Sequence, residues 1–185
     1  MRKLIINKKT GFKNLQPHIP VIIRDERFTI FYSTEGLNEV RFFNLPKGEY
    51  YIDSGSIEQL KEPVKFKRYP LPAFERKNPD PSNFKIVFGN NPNKCTIQWR
   101  FKRIFFDNSF KSETKPKVFF ILYHEFGHSK YETEKYADLF AANMMLDKGY
   151  NPSQIGKAPL TGLSSKQFNR KKFIVNSVRK WKQKH

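Results

Sequence analysis

Short apolar runs separated by polar turns occupy the first 70 residues of the chain, a pattern typical of β-strands. Residues 28–32 and 39–43 are rich in β-branched and aromatic side chains, and residues 49–52 follow a Pro-Lys-Gly turn. Residues 65–69 alternate apolar and polar positions. Together these runs predict a β-rich N-terminal segment over residues 1–70.

Prolines then become frequent, and residues 71–83 are predicted to form an extended Pro-rich linker. Beyond it, residues 84–88 predict a strand. Residues 95–104 predict a second, half-exposed strand, because apolar and polar positions alternate along them. The turn-rich residues 89–94 between the two runs predict that they form a hairpin.

The spacing of apolar residues changes to that of helices in the last part of the chain. Residues 118–123 are uniformly apolar and fit a strand or a buried helix, and the motif that follows them favours a helix. Residues 134–148 predict a helix with Thr133 as its N-cap and Gly149 as its stop. Two further helix starts are predicted at residues 151–154 and 164–167, and the last helix places Ile174, Val178 and Trp181 on one face.

Cysteine content and hydropathy restrict the class of protein. Cys95 is the one cysteine, so an intrachain disulfide and a multi-cysteine zinc framework are both excluded. The N-terminus has three consecutive apolar residues, too few for a signal-peptide core, and no run approaches the ~18 apolar residues of a membrane span. We therefore expect an intracellular, cytoplasmic protein without a membrane span.

The chain is strongly basic, with a formal net charge of +18, but the charge is unevenly distributed. Residues 151–185 contain nine Lys and Arg and no carboxylate, whereas residues 119–150 contain three basic and five acidic residues. A basic surface attracts a polyanion, such as nucleic acid or an acidic protein, and it also serves simply to keep a protein in solution. Charge alone leaves both interpretations open.

The acidic stretch contains the run His124-Glu125-Phe126-Gly127-His128, which has the pattern H-E-x-x-H. Residues four apart project from the same face of a helix, so His124 and His128 can hold one Zn²⁺. Glu125 is placed to act as the general base on a water that the metal activates. Gly127 lacks a side chain, which allows another backbone to pack closely there.

A catalytic zinc needs a third protein ligand and an open fourth position. Glu132, Glu134 and Asp138 follow the motif within ten residues and are all candidates. Glu134 and Asp138 are four residues apart on the next predicted helix, so both can face the helix that carries the histidines. The connection of residues 129–133 is long enough to join antiparallel neighbours.

The residues after the motif resemble those of gluzincin peptidases, which have Glu-x-x-x-Asp on the following helix. Glu134 to Ala141, with the sequence EKYADLFA, is similar to the corresponding stretch of ImmA/IrrE-type metallopeptidases. The resemblance spans residues 84–148, and its specific motifs cover residues 124–141. The connection between the second histidine and the glutamate is shorter here than in that family. The five residues between His128 and Glu134 match the spacing of metzincins, but Tyr131 stands where metzincins have a turn glycine.

This resemblance implies the fold and the roles of individual residues. It implies that Glu134 is the third ligand and that Asp138 orients a ligand histidine. It also implies an antiparallel edge strand beside the active-site helix, for which residues 95–104 are the candidate. We therefore predict an α+β protein in which residues 84–185 form a zincin-like metallopeptidase domain, with an active-site helix pair, a small antiparallel sheet and a basic C-terminal helix.

Two functions remain open at this point. The first is a zinc-dependent endopeptidase that cuts a protein or peptide substrate with Glu125 as general base. By resemblance, it would act in a phage or mobile element, with the virion as a further location. The second is a basic structural protein, associated with nucleic acid or an assembly, in which the zinc site is vestigial or structural. Hydrolysis of a non-peptide amide is a third possibility, since the motif activates water without naming the bond.

Overall fold

The computed structural model describes residues 1–35, 37, 39–76 and 78–157. The helix predicted from residue 164, and nearly all of the basic C-terminal stretch, lie outside the described residues. The chain divides into two compact units. The first is Met1–Lys67 with Asp147–Asn151, and the second is Arg68–Leu146, continuing from Pro152. Helices and strands are both abundant, which confirms the α+β class.

The first unit is built from two antiparallel sheets. The strand order is β1-β6-β3-β4 in one and β5-β2-β7 in the other. Phe12, Ile23, Phe43 and Leu45 are buried and form part of its core, as alternation along half-buried strands requires. The strands are β1 (Arg2–Ile6), β2 (Thr10–Asn14), β3 (Ile22–Asp25), β4 (Ile30–Ser33), β5 (Phe42–Leu45), β6 (Gly48–Ser54) and β7 (Ile57–Gln59).

The prediction of a β-rich N-terminus is confirmed, but one predicted strand is wrong. The runs at 28–32, 39–43 and 49–52 overlap β4, β5 and β6, while β1, β2, β3 and β7 were not predicted. Residues 65–69 belong to no strand. Side-chain amides take the place of a partner strand at the two ends of this run. The Asn44 amide hydrogen-bonds the backbone N–H and carbonyl of Val64, and the Asn143 amide does the same for Tyr69.

The second unit contains a three-stranded sheet of β8 (Lys85–Gly89), β9 (Cys95–Gln98) and β10 (Arg103–Asp107). The strand order is β8-β10-β9, so β10 is central and β9 is an edge strand. β10 pairs antiparallel with β9 and parallel with β8. The sheet is therefore mixed rather than purely antiparallel.

The predicted hairpin between residues 84–88 and 95–104 is wrong. A 3₁₀ turn at Trp99–Phe101 and a left-handed Lys102, with φ of 45°, split the second run into two strands. The chain thus reverses inside the run, and the hairpin joins β9 to β10. Apolar and polar residues alternate from Cys95 to Phe101, and the adjacent polar residues Lys102 and Arg103 then interrupt the alternation at the reversal. Further 3₁₀ turns lie at Pro81–Asn83 and Asn108–Ser112.

Three helices are described: α1 (Lys115–Gly127), α2 (Glu134–Lys148) and α3 (Pro152–Lys157). The Thr133 hydroxyl accepts a hydrogen bond from the Tyr136 N–H at 3.3 Å, and Gly149 follows α2 with φ of 99°. Both predicted ends of this helix are confirmed. None of the described helices is long and apolar enough to cross a membrane.

Helix α1 packs against the three-stranded sheet and contacts β9. The buried cluster between them contains Cys95, Ile104, Phe106, Phe110 and Leu122. Because the apolar run at residues 118–123 supplies part of this core, the end of α1 is held in place next to the edge strand. That end carries the H-E-x-x-H motif.

Candidate metal centre

The two motif histidines project from the same face of α1, as their spacing predicts. The Nε2 atoms of His124 and His128 are 3.0 Å apart, and the ring planes are perpendicular. The backbone N–H of His128 still donates to the His124 carbonyl at 3.2 Å, so the helical turn continues through the motif. The histidines therefore present two nitrogen atoms to one point at the end of the helix.

Glu134, the first residue of α2, completes a group of three potential ligands. Its Oε2 lies 3.3 Å from His124 Nε2, and its Oε1 lies 3.4 Å from His128 Nε2. The three ligand atoms lie within 4.8 Å of one another, close enough to bind a metal ion, and this is the one such group among the described residues. Glu132, the other early candidate, pairs with Arg76 at 3.4 Å instead.

The residues fit a zinc ion in both geometry and chemistry. Two ligands that are each roughly 2.0–2.1 Å from a tetrahedral ion are about 3.3–3.4 Å apart. The observed separations of 3.0, 3.3 and 3.4 Å are close to that value. Two imidazoles with one carboxylate also suit zinc better than Mg²⁺ or Ca²⁺, which prefer an all-oxygen shell.

The group is buried on one side and open on the other. His124 is buried, His128 has a side-chain exposure of 25%, and Glu134 has one of 60%. Structural zinc sites have four protein ligands and are closed, whereas catalytic sites keep a position for water or substrate. Three ligands with an open side match the catalytic arrangement.

Asp138 lies one turn after Glu134 and contacts the opposite side of the His124 ring. Its Oδ1 is 2.9 Å from His124 Nδ1, and its side chain is almost fully buried. A carboxylate accepts hydrogen bonds, so Nδ1 carries the proton and the Nε2 lone pair of His124 points to the group. Asp138 is thus placed to fix the tautomer and orientation of a ligand.

Replacing Asp138 by Ala is expected to lower zinc affinity by roughly 10–100-fold, the usual effect of removing such a partner. The Asp138→Asn substitution keeps an acceptor oxygen at this position, so it should recover part of the loss. Competition with a chromophoric chelator measures the affinity. Asp147→Ala, at the exposed end of the same helix, is the matched control, and equal affinities for the three variants and the unmodified protein would contradict the assigned role.

Gly127 sets the distance between the two helices of the site. A Cβ atom on Gly127 would lie 2.7 Å from Ala137 Cα and 2.9 Å from the Ala137 carbonyl oxygen. These are backbone atoms and cannot rotate away. The close approach predicted for this glycine is therefore present, and it brings the first turns of α2 near the end of α1.

Substituting Ala for Gly127 is expected to push α2 away from α1. Overpacking costs about 1–3 kcal/mol, and a clash with backbone atoms falls in the upper part of this range, above the ~1 kcal/mol that Ala gains over Gly inside a helix. We expect a lower free energy of unfolding together with weaker zinc binding, measured by denaturation and chelator competition. Gly48→Ala is the control, because its new methyl group would meet only the Tyr50 ring at 3.3–3.4 Å. Unchanged zinc affinity in Gly127→Ala would contradict the spacing role.

The connection between the helices is held by part of the Pro-rich segment. The backbone N–H groups of Glu75 and Arg76 donate to the Lys130 carbonyl at 3.0 and 3.1 Å. The Glu75 carboxylate accepts from the Glu132 N–H at 2.8 Å, and the buried Tyr131 donates its hydroxyl to the Pro72 carbonyl at 3.3 Å. These contacts were not predicted, because each of them includes a backbone group of a residue distant in sequence, and such groups carry no sequence signal.

Glu125 directly follows His124 on α1 and is partly buried. Burial raises the pKa of the Cys95 thiol, and the charge of Glu125 raises it further. Tyr123, Tyr131 and Tyr136 are near the motif in sequence. The hydroxyl of Tyr131 is engaged by Pro72, and burial raises the pKa of Tyr123. None of them is assigned a role in the chemistry.

Comparisons with known proteins do not assign the chain to a family. No protein-family model matches it, and neither a curated protein nor a solved structure shows significant similarity. The geometry of His124, His128 and Glu134 is therefore the principal guide to function.

Proposed function

We propose that the protein is a zinc-dependent endopeptidase with His124, His128 and Glu134 as the metal ligands. The observation that carries the proposal is the convergence of two Nε2 atoms and one carboxylate within 4.8 Å, on a helix that also presents Glu125. A chance H-E-x-x-H sequence has no reason to meet a third ligand from another helix.

Each proposed role follows from the chemistry of the side chain. Zinc, when bound, supplies Lewis acidity that polarises a carbonyl and lowers the pKa of water. The Glu125 carboxylate takes a proton from the attacking water and returns it to the leaving amine. Asp138 holds His124 in the tautomer that a ligand needs.

The edge strand β9 is the proposed binding site for an extended peptide. One side of β9 pairs with β10, and no strand of the described residues pairs with its other side. An extended chain can add to such an edge through backbone hydrogen bonds. Since β9 contacts α1, a peptide added to β9 would run next to the helix that carries the proposed catalytic base Glu125.

The exposure of the group favours catalysis over a structural role for the metal. A structural site would need a fourth protein ligand, and the described residues offer no fourth member of the group. Glu134 is the most exposed of the three, so the open position faces solvent. A vestigial site would also have no need for the buried contact between Asp138 and His124.

The proposal is tested by measuring peptide cleavage with zinc bound, after the zinc is removed, and after it is restored. Zinc-loaded protein is incubated with a randomised peptide library, and new N-termini are identified by mass spectrometry. We expect cleavage that stops when a chelator removes the metal and returns when zinc is restored. A zinc-loaded protein that cleaves no peptide, or cleavage that persists without metal, would contradict the proposal.

A further inference from the structure

The three-stranded sheet of the second unit has a second face, opposite to the buried cluster. Ile104 and Phe106 of β10 point into that cluster, so Arg103 and Phe105 point to the other side. In the ladders, Arg103 pairs with Lys85 of β8 and Gln98 of β9. We call this side, together with the adjoining turn, the aromatic–basic face: Lys85, Arg100, Phe101, Lys102, Arg103 and Phe105.

Arginine side chains lie over phenylalanine rings on the aromatic–basic face. The Arg103 guanidinium is 5.0 Å from the Phe101 ring centre and 5.6 Å from that of Phe105. Arg100 also lies over Phe101, at 5.9 Å. The Phe105 ring rests against the Gly89 backbone, where a Cβ atom would come within 2.7 Å of it. Arg100, Arg103, Phe101 and Phe105 are therefore linked by cation–π contacts along one surface.

The cations of this face have no carboxylate to balance them. Among the described residues, Lys85, Arg100, Lys102 and Arg103 make no ion pair. The chain has no Asp or Glu between Asp80 and Asp107. On the first unit's strands, by contrast, Lys3 pairs with Glu49 and Lys13 with Glu58. The aromatic–basic face thus combines unbalanced positive charge with apolar rings.

Phe101 distinguishes between possible polyanions. Its exposure is 62%, although a large apolar ring at a turn could easily pack inward. An acidic peptide would use the cations but has no need of an exposed ring. Duplex nucleic acid hides the faces of its bases, whereas a single strand offers both phosphates and bases that stack on aromatic rings. The surface matches the single strand best.

We propose that the aromatic–basic face binds single-stranded nucleic acid, with Phe101 stacking on a base and Arg100, Lys85, Lys102 and Arg103 contacting phosphates. This interaction needs no metal and goes beyond the proposed peptidase activity. It would hold the enzyme on a nucleic-acid-bearing assembly while the edge strand β9 remains open to a peptide.

Fluorescence anisotropy of the full chain with a labelled 12-nucleotide oligo(dT) tests this proposal. Phe101→Leu keeps an apolar side chain but removes the ring, and it should weaken binding roughly 5–150-fold. Phe101→Tyr should bind like the unmodified protein. Arg100→Ala should reduce the slope of log affinity against log salt by about 0.7.

Two substitutions on the first unit serve as controls. Phe42→Leu removes a ring of similar exposure, 54%, and Lys65→Ala removes an exposed cation. Neither should change the affinity or the salt slope by a comparable amount. Equal binding by Phe101→Leu and the unmodified protein would overturn the proposal. So would equal affinity for a 12-residue oligoglutamate, which would identify the face as a site for acidic peptides.

Discussion

Glu125→Gln is expected to abolish peptide hydrolysis while leaving zinc bound. Glutamine has almost the same shape as glutamate but cannot take a proton from water. General acid–base catalysis contributes about 10²–10⁴ in rate, so the loss should be at least of that size. His124, His128 and Glu134 are unchanged in this variant, so zinc stoichiometry should remain at one per chain. Library cleavage and elemental analysis measure the two quantities on the same sample.

Glu132→Gln is the matched control for this substitution. Glu132 is a glutamate close to the site, but its carboxylate pairs with Arg76 and is not part of the ligand group. Neutralising it changes the local charge by the same amount as Glu125→Gln. We expect near-normal cleavage from Glu132→Gln. Full cleavage by Glu125→Gln would show that this glutamate is not the base.

Removal of a metal ligand is expected to cause a large loss of zinc affinity and of the stability that zinc provides. His128→Ala or Glu134→Ala leaves two protein ligands, and the loss of affinity should exceed the roughly 10–100-fold caused by losing an outer partner such as Asp138. A zinc concentration of about 100 times the dissociation constant stabilises a folded protein by about 2.7 kcal/mol. The variants should gain almost none of this stability at the same concentration. Thermal denaturation with and without zinc measures the difference.

His18→Ala provides the comparison for ligand removal. His18 is an exposed histidine on the first unit, remote in sequence from the motif, and it belongs to no ligand group among the described residues. Its replacement should leave the zinc-dependent stabilisation intact. If His128→Ala and His18→Ala gained stability equally, the stabilising zinc would be bound somewhere other than the proposed centre.

The two helices of the site could be predicted because their signals are local. Thr133 and Gly149 mark the ends of α2 through capping chemistry that acts over a few residues. The spacing of His124 and His128 fixes their common face once the helix is assumed. The position of Glu134 was harder to predict from the sequence, because it depends on how closely α1 and α2 pack. Gly127 was the one residue whose small size indicated that approach.

The sheet was harder to predict because strand pairing depends on distant residues. Residues 95–101 alternate like one strand, yet Lys102 adopts a left-handed conformation and the chain turns back at that point. The adjacent polar residues Lys102 and Arg103 shift the phase of the alternation there, but a short interruption of this kind does not by itself distinguish a turn from an irregular strand. The parallel pairing of β8 with β10 likewise depends on the connection between them, and the pattern along each strand carries no information about it.

The most direct test of the proposed metal centre is zinc K-edge X-ray absorption of the zinc-loaded full chain. Zinc held by His124, His128 and Glu134 should show a first shell of nitrogen and oxygen only, at about 2.0–2.1 Å, with scattering from two imidazole rings. Cys95 is a buried free cysteine outside the ligand group, so a sulfur neighbour at about 2.3 Å would indicate a different centre. A sulfur shell, a single imidazole, or failure to retain zinc at all would contradict the proposed centre.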